Sequence, residues 1–387
     1  MGIKVLIANT LRPHGETGVQ TYMNSLVAAL LEAGYDAEVV TPYDVSPLIY
    51  IPVFAVRRFI TPFSRKTGVW WHRNFHQALL RQALSRKLVN GRPTIIYAQC
   101  PVSAKAALDV RDPSCHTLAL AVHFNRSQAS EWRDQGLISE NDWVWRSVVR
   151  LEEEVLPMAD RLLYTSKFMQ LHMEKRFPEL QKVPAIAGIN FMGLPTKKHF
   201  DKSNKKRDLV SIGSLEHRKN QVFLLQVLRL AKEMGHSYSL TIVGDGPDMH
   251  KLKEEATRLG VASQVDFAGK VPDVLAYLRN HRLLVHAAKT ESFGLVLIEA
   301  MAHAMPVIAA PVGGIPEVFS DGVGGRYWSL DNPEDAATIL VNILENEALL
   351  ARMSCDAYNH FVSHHETAIT FPKVRDFLLD KALPSRV

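Results

Sequence analysis

Cysteine is scarce in this chain: Cys100, Cys115 and Cys355 are the only three in 387 residues. They are odd in number and far apart, which excludes a disulfide scaffold and a cysteine-ligated zinc site and predicts a reducing compartment. Long hydrophobic runs are missing too. The apolar stretch Val45–Val56 contains Pro47 and Pro52 and is too short to cross a bilayer. The opening residues, Met1-Gly2-Ile3-Lys4-Val5-Leu6-Ile7-Ala8, lack a basic segment followed by a long apolar core. They predict a strand and no signal peptide. No Gly-x-Gly-x-x-Gly follows that strand, which argues against a nicotinamide-dependent dehydrogenase.

One charge is absent from a whole window. Between Asp44 and Asp109 there is no acidic residue, while Arg57, Arg58, Arg65, Lys66, Arg73, Arg81, Arg86, Lys87, Arg92 and Lys105 all fall there. The formal net charge of +5 therefore hides a gradient. Residues 1–200 carry 24 basic and 17 acidic side chains (+7), and residues 201–387 carry 21 and 23 (−2). Phe54, Phe59, Phe63, Trp70, Trp71 and Phe75 interleave with the cations. Cations beside aromatics suit the interface of an anionic membrane. A basic surface over core aromatics fits the same residues, as does single-stranded nucleic acid. No nucleic-acid motif accompanies the window, so no nucleic-acid partner is predicted. The membrane reading selects Arg57, Arg58, Arg65, Lys66, Trp70, Trp71 and Arg73 as the contacting face.

What is present is globular. Apolar residues make up 47% and charged residues 22%, which excludes disorder and fibrous repeats. The length predicts two domains. Strand-like runs (Lys4–Asn9, Ala37–Thr41, Thr94–Ala98, Thr117–Val122, Leu162–Tyr164) alternate with helical segments such as Val19–Glu32. The pattern breaks over residues 190–207, which hold Gly193, Pro195 and a lysine cluster and read as a linker. It restarts with strands at Leu209–Ile212, Ser239–Val243, Gln264–Phe267, Leu283–His286 and Val307–Ala309, and helices at Val222–Met234 and Phe293–Ala302. The fold class is α/β, with two doubly wound units whose sites lie at the carboxyl ends of their strands.

The richest segment is Lys289-Thr290-Glu291-Ser292-Phe293-Gly294-Leu295-Val296-Leu297-Ile298-Glu299-Ala300-Met301-Ala302. It joins a strand to a helix. The amides of Phe293, Gly294 and Leu295 stand at a positive helix end, a ready anion site. Glu299, further in, suits a diol such as a ribose. Taken alone, the two glutamates also fit a capped helix with solvated carboxylates. Around them, in order, stand Ile212-Gly213-Ser214-Leu215, Arg218-Lys219-Asn220, Val243-Gly244-Asp245-Gly246-Pro247, Phe267-Ala268-Gly269-Lys270 and Pro306-Val307-Ile308-Ala309-Ala310-Pro311-Val312-Gly313-Gly314.

This ordered set resembles glycosyltransferase family 4, the retaining sugar transferases of the GT-B fold. The likeness is strongest over residues 209–330. It implies an acceptor-binding Rossmann-like domain over 1–189, a linker over 190–207 and a donor-binding one over 208–365, facing a central cleft. It also implies a C-terminal helix over 366–387 that packs back on the first domain. The implied roles are specific. Glu299 would bind the ribose, and Glu291 the hydroxyls of the donor sugar. The amides of Phe293, Gly294 and Leu295, with Lys219, would hold the diphosphate, and Gly269 and Lys270 would edge the nucleobase. Gly15-Glu16-Thr17-Gly18 resembles the family's glycine loop, from which only Gly18 carries over, since Thr17 replaces the first glycine of the usual pair. His123, after the strand Thr117–Val122, resembles the histidine that faces the transferred sugar. The family commonly places an arginine where Ser214 stands. Arg218 is then either the substitute second cation or a solvated surface residue.

The resemblance implies a hexosyltransferase that uses a uridine or guanosine diphosphate sugar, without a cofactor or divalent metal. The Asp-x-Asp motif of the other large transferase fold is absent, and the sixteen histidines show no metal-ligand spacing. The implied acceptor is a lipid-linked or oligosaccharide glycan of lipopolysaccharide or exopolysaccharide synthesis. The implied location is cytoplasmic, peripheral to the inner face of the cytoplasmic membrane. Two other readings remain open: a sugar-nucleotide epimerase or phosphorylase on the same fold, and a non-catalytic membrane scaffold that binds nucleotide sugars.

Overall fold

The computed structural model describes residues 2–12, 18–124, 126–188 and 207–380. The expected glycine loop at Gly15-Glu16-Thr17, the 190–206 part of the expected linker and residues 381–387 lie outside them. The chain divides into two units, Met1–Gly193 with Thr367–Val387, and Leu194–Glu366.

In the first unit, β1 (Lys4–Ala8), β2 (Asp36–Val40), β3 (Thr94–Ala98), β4 (His116–Val122), β5 (Arg161–Tyr164) and β6 (Ala185–Ala187) form one sheet. Its order is β2-β1-β3-β4-β5-β6, and each pairing is parallel. β3 is buried along its whole length, as a strand covered on both faces must be, and its sequence Thr-Ile-Ile-Tyr-Ala is accordingly not alternating. The helix Gly18–Glu32 packs Tyr22, Met23, Leu26 and Leu30 on one face of the sheet. The helix Thr367–Leu379 joins it with Val374 and Leu378. Arg161, at the start of β5, fastens the end of that last helix. Its guanidinium donates to the carbonyls of Phe377 (3.0 Å), Leu378 and Asp380, supplying the donors that terminal carbonyls lack.

The acid-free window, to which the sequence assigns no element, forms two helices, Pro47–Ile60 and Arg65–Lys87. Pro47 and Pro52 had masked the first. Pro47 occupies the first helical position, where a missing N–H costs nothing. The inner face of Pro47–Ile60 packs Tyr50, Val53 and Phe54 on the core. Its outer face leaves Leu48 87% and Phe59 72% exposed, and Phe63, just beyond, 80% exposed. The cations of the window divide. Arg58, Arg65 and Lys66 are exposed. Arg57 turns inward, its Nη1 3.1 Å from His72 Nδ1. Arg73 donates to Ser147 Oγ at 2.8 Å. Trp71 donates to the Val53 carbonyl at 2.9 Å and stacks on Phe75, and Trp70 is partly buried against Trp143. Among the described residues no helix is long and apolar enough to cross a membrane.

The second unit holds β7 (Arg207–Ile212), β8 (Leu240–Val243), β9 (Val265–Gly269), β10 (His281–His286), β11 (Val307–Ala309) and β12 (Gly325–Tyr327). The order is β12-β11-β10-β7-β8-β9, again all parallel. β7 starts at Arg207, inside the span read as linker. Read from β9, this order is 3-2-1-4-5-6, so the direction of winding reverses between β7 and β10. At that point the two following loops diverge to opposite faces and open a crevice beyond the carboxyl ends. The corresponding reversal in the first unit lies between β1 and β3.

Candidate active site at the strand ends

The crevice of the second unit is built by the two loops that its topology separates. After β7, residues Gly213–Lys219 fold back so that Lys219 Cε lies over Gly213. After β10, Ala287–Glu291 leads to the helix Leu295–Ala302. Across the crevice Lys219 Nζ forms an ion pair with Glu291 Oε2. Oε1 of Glu291 accepts from the Ser292 amide at 3.2 Å, and His286 Nε2 lies 3.3 Å from Oε2. Burial, the largest single effect, pushes the Glu291 carboxyl up, but Lys219, His286 and Arg218 together outweigh it and hold the group far below the usual carboxylate range. It is ionised at any working pH.

Glu291 is clamped through its backbone as well. Its carbonyl accepts from the Gly314 amide at 3.0 Å. Gly313 lies against the same carbonyl at φ +60°, which explains the need for glycine in the stretch after β11. Gly294 caps the helix Leu295–Ala302 in the left-handed region at φ 93°, and no side chain caps that end. The first amides of the helix thus keep their donors for an anion. The helix starts two residues later than the sequence suggests because Gly294 takes the left-handed turn. Phe293 is a core side chain, so only its backbone belongs to the site. Glu299, one turn along, accepts no side-chain hydrogen bond among the described residues, and burial pushes its carboxyl up to about 7.

Arg218 is not a solvated surface residue. Its Nη2 lies 2.6 Å from Glu216 Oε1, which also accepts from the Ser214 hydroxyl at 2.8 Å. Among the described residues its buried Nη1 has no partner. Gly269 ends β9, with its carbonyl accepting from the Gly244 amide at 2.9 Å, and Lys270 follows it exposed. Because the sheet is parallel, the Lys219 loop, the Gly294 helix end, Gly269 and Lys270 all emerge at one edge. A separate cavity of about 780 Å³, lined by Asn220, Phe223, Lys289 and Trp328 among others, lies toward β11 and β12 and contains none of the expected site residues.

In the first unit, His123 follows β4. Its Nε2 donates to Gln99 Oε1 at 2.9 Å, and the Tyr22 ring meets it edge-on. Burial pushes its pKa down to about 4, so the ring is neutral near pH 7. The bond to Gln99 leaves Nδ1 as an acceptor at the mouth of the strand ends. Gly18 opens the helix that carries Tyr22. Neither Gln99 nor Tyr22 was legible as a partner of His123, because they lie 24 and 101 residues away along the chain. His286 was missed as well. Its only signal is a histidine closing a strand of apolar residues. Among the described residues no three His, Cys, Asp or Glu side chains gather as a metal site would need.

Comparison with known proteins now bears on both units. A family model described as glycosyl transferases group 1 matches residues 195–360, and one for a glycosyl transferase 4-like domain matches residues 17–186. This chain belongs to glycosyltransferase family 4. A curated relative of this family 4 chain is the N-acetyl-alpha-D-glucosaminyl L-malate synthase of Bacillus anthracis, 31% identical over 190 residues. That alignment covers 46% of the chain and spans about half the length, 49%, of the relative. Among solved structures, the sucrose-phosphate synthase of Thermosynechococcus elongatus superposes with a TM-score of 0.68 at 16% identity, covering 97% of this chain and 98% of that one. HepE of Anabaena, solved in complex with UDP and glucose, does so with a TM-score of 0.65 at 18% identity, over 97% and 99%. These likenesses establish the GT-B fold.

Proposed function

We propose that this family 4 chain is a retaining hexosyltransferase. It moves a hexose from a nucleotide-diphosphate sugar to a lipid-linked or oligosaccharide acceptor of lipopolysaccharide or exopolysaccharide type. The observation that carries this reading is the meeting of Lys219 and Glu291 at the β7/β10 crevice, beside the free helix end at Gly294 and the unpartnered Glu299. A departing diphosphate gains negative charge as the glycosidic bond breaks. Lys219, Arg218 and the helix amides are aimed where that charge develops, which lowers the barrier most. With these cations in place the reading calls for no divalent metal. Glu291, kept ionised, accepts hydrogen bonds from sugar hydroxyls, and Glu299 does so from a ribose. In the mechanism the family suggests, the acceptor hydroxyl attacks on the face the diphosphate leaves, and the leaving phosphate takes its proton. The neutral His123 would then orient the sugar by accepting through Nδ1. A uridine nucleotide is favoured by the likeness to HepE, which was solved with UDP and glucose.

The acceptor side of the reading rests on the outer face of Pro47–Ile60. Leu48, Phe59 and Phe63 stand exposed beside Arg58, Arg65 and Lys66 in a window without acidic residues. An apolar ridge fringed by cations suits the inner face of an anionic membrane, where lipid-linked acceptors lie.

The test is release of nucleotide from uridine and guanosine diphosphate sugars, with and without a lipid-linked acceptor. Acceptor-dependent release and anomeric retention in the product are expected. Epimerised donor in the absence of acceptor would defeat the reading. An unchanged cellular glycan in a folded Glu291→Ala variant would favour a binding scaffold instead.

A further inference from the structure

His286 stands at the β7/β10 crevice, and the preceding function does not use it. It closes β10 and is 95% buried, and its two ring nitrogens face different partners. Nδ1 accepts from the Ala288 amide at 3.3 Å. That bond leaves the ring proton on Nε2, which lies 3.3 Å from Glu291 Oε2. The contact is long while Lys219 Nζ holds the same oxygen. The Nε2–H makes no hydrogen bond there and is buried without a partner among the described residues, so Oε2 is held by the cation.

Lys219 also has two calls on it in the proposed reaction. It pairs with Glu291, and it must neutralise a diphosphate. A single ammonium offers its full charge to one of them only. We propose that a donor diphosphate binds by drawing Lys219 away from Glu291, and that His286 is the positioning residue that then holds Glu291 in place.

The surroundings require such a substitute. The Glu291 carbonyl is clamped by Gly313 and Gly314, so the residue cannot follow the lysine. Its side chain is 9% exposed, and a buried carboxylate that loses its paired cation is strongly destabilised unless another donor takes over. The Ser292 amide serves Oε1. Burial foremost holds the His286 pKa down, Glu291 raises it, and Lys219 and Arg218 lower it further. Withdrawal of Lys219 removes one of those opposing charges and leaves Oε2 open to accept from the otherwise unpartnered Nε2–H. The exchange keeps Glu291 ionised and aimed for sugar hydroxyls at the moment Lys219 engages phosphate. A consequence is that Glu291 opposes the binding of a bare nucleoside diphosphate while favouring that of the sugar nucleotide.

This inference rests on the donor reading above. Its test is calorimetric titration of the full chain with UDP and, in parallel, GDP, following whichever binds more tightly. Glu291→Gln frees Lys219 and is expected to raise nucleoside diphosphate affinity about tenfold, within the usual range of coupling between neighbouring groups. His286→Leu is expected to weaken the same binding severalfold in the native background, and to have no effect when Glu291→Gln is present. A merely structural role for His286 would weaken binding equally in both backgrounds and overturn the proposal, as would a Glu291→Gln variant that gains no affinity. Lys219→Met separates the two levels. If it abolishes binding while Glu291→Gln changes nothing, the exchange fails and the donor reading stands. If the native chain binds neither nucleotide, both fail.

Discussion

Arg218 Nη2 lies 2.6 Å from Oε1 of Glu216, an oxygen that Ser214 also reaches. The family's usual arginine position holds a serine, and that serine helps orient an arginine four residues on. The buried, unpartnered Nη1 of Arg218 is the donor this arrangement leaves over. Arg218→Ala is expected to lower affinity for a nucleoside diphosphate about tenfold or more, the range for a hydrogen bond between charged groups. Affinity for the nucleoside alone should not change. Isothermal titration of both ligands checks this.

Gly313 supports the site from below. An added β-carbon would stand 1.9 Å from the Glu291 carbonyl oxygen, at a φ of +60° that other residues rarely adopt. Gly313→Ala is expected to cost about 2 kcal/mol or more in stability and to displace Glu291 from Lys219. Urea unfolding and donor titration measure the two effects. Full activity at unchanged stability would refute the clamp.

The Glu299 carboxyl is pushed up to about 7 by burial. Its folded pKa exceeds its unfolded one, so the folded state binds more protons between about pH 4.5 and 7. Its contribution to stability is therefore best below that window and declines as pH rises through 7. Glu299→Gln should raise the melting temperature at pH 8 and not at pH 4.5. Donor binding runs the other way, since accepting two ribose hydroxyls needs the ionised form. Affinity for a sugar nucleotide should rise from pH 6 to pH 8 in the native chain and stay flat in Glu299→Gln.

His123 titrates with the opposite sign. Its pKa is pushed down to about 4 by burial, so the unfolded state binds the proton first as pH falls below about 6.5. The stability it contributes is complete above that value and is lost toward pH 4. His123→Gln should flatten part of the decline in melting temperature between pH 6.5 and 4.5. His76, also pushed to about 4, supplies another part and should leave a residual slope.

The window cations make separable predictions. Reversing Arg58, Arg65 and Lys66 to glutamate should weaken binding to anionic vesicles about a hundredfold at low salt, and the loss should shrink as salt rises. Replacing Phe59 and Phe63 by serine should remove the part that survives high salt. Reversing Arg57 or Arg73 should instead lower the melting temperature, because both are committed to inward partners. Cosedimentation across a salt series separates these outcomes.

The sheets and the residues that meet at the β7/β10 crevice were largely legible beforehand. β1, β3, β4, β7 and β10 announce themselves as apolar runs closed by glycine or polar residues, and Glu291, Gly294 and Glu299 keep a fixed spacing on one strand-to-helix turn. Local patterns of this kind do not depend on distant residues. The two helices of the acid-free window were not legible, because Pro47 and Pro52 read as turns while Pro47 in fact starts a helix. The partners of His123 could not be read either, since Gln99 follows β3 and Tyr22 lies on the helix Gly18–Glu32.

The chain's own order of residues thus determined the alternation of strands and helices, the family, and which carboxylates and cations border the β7/β10 crevice. These follow from side-chain period, turn chemistry and short-range spacing. The tertiary structure alone decided how those groups are used: that Lys219 is held by Glu291, that Arg218 is turned in by Glu216, and that only part of the basic window faces outward. Such choices depend on burial and on contacts between residues far apart in the chain, as Lys219 and Glu291 are at 72 positions and Arg73 and Ser147 at 74. A charge excluded from water must take whatever partner the fold brings near it.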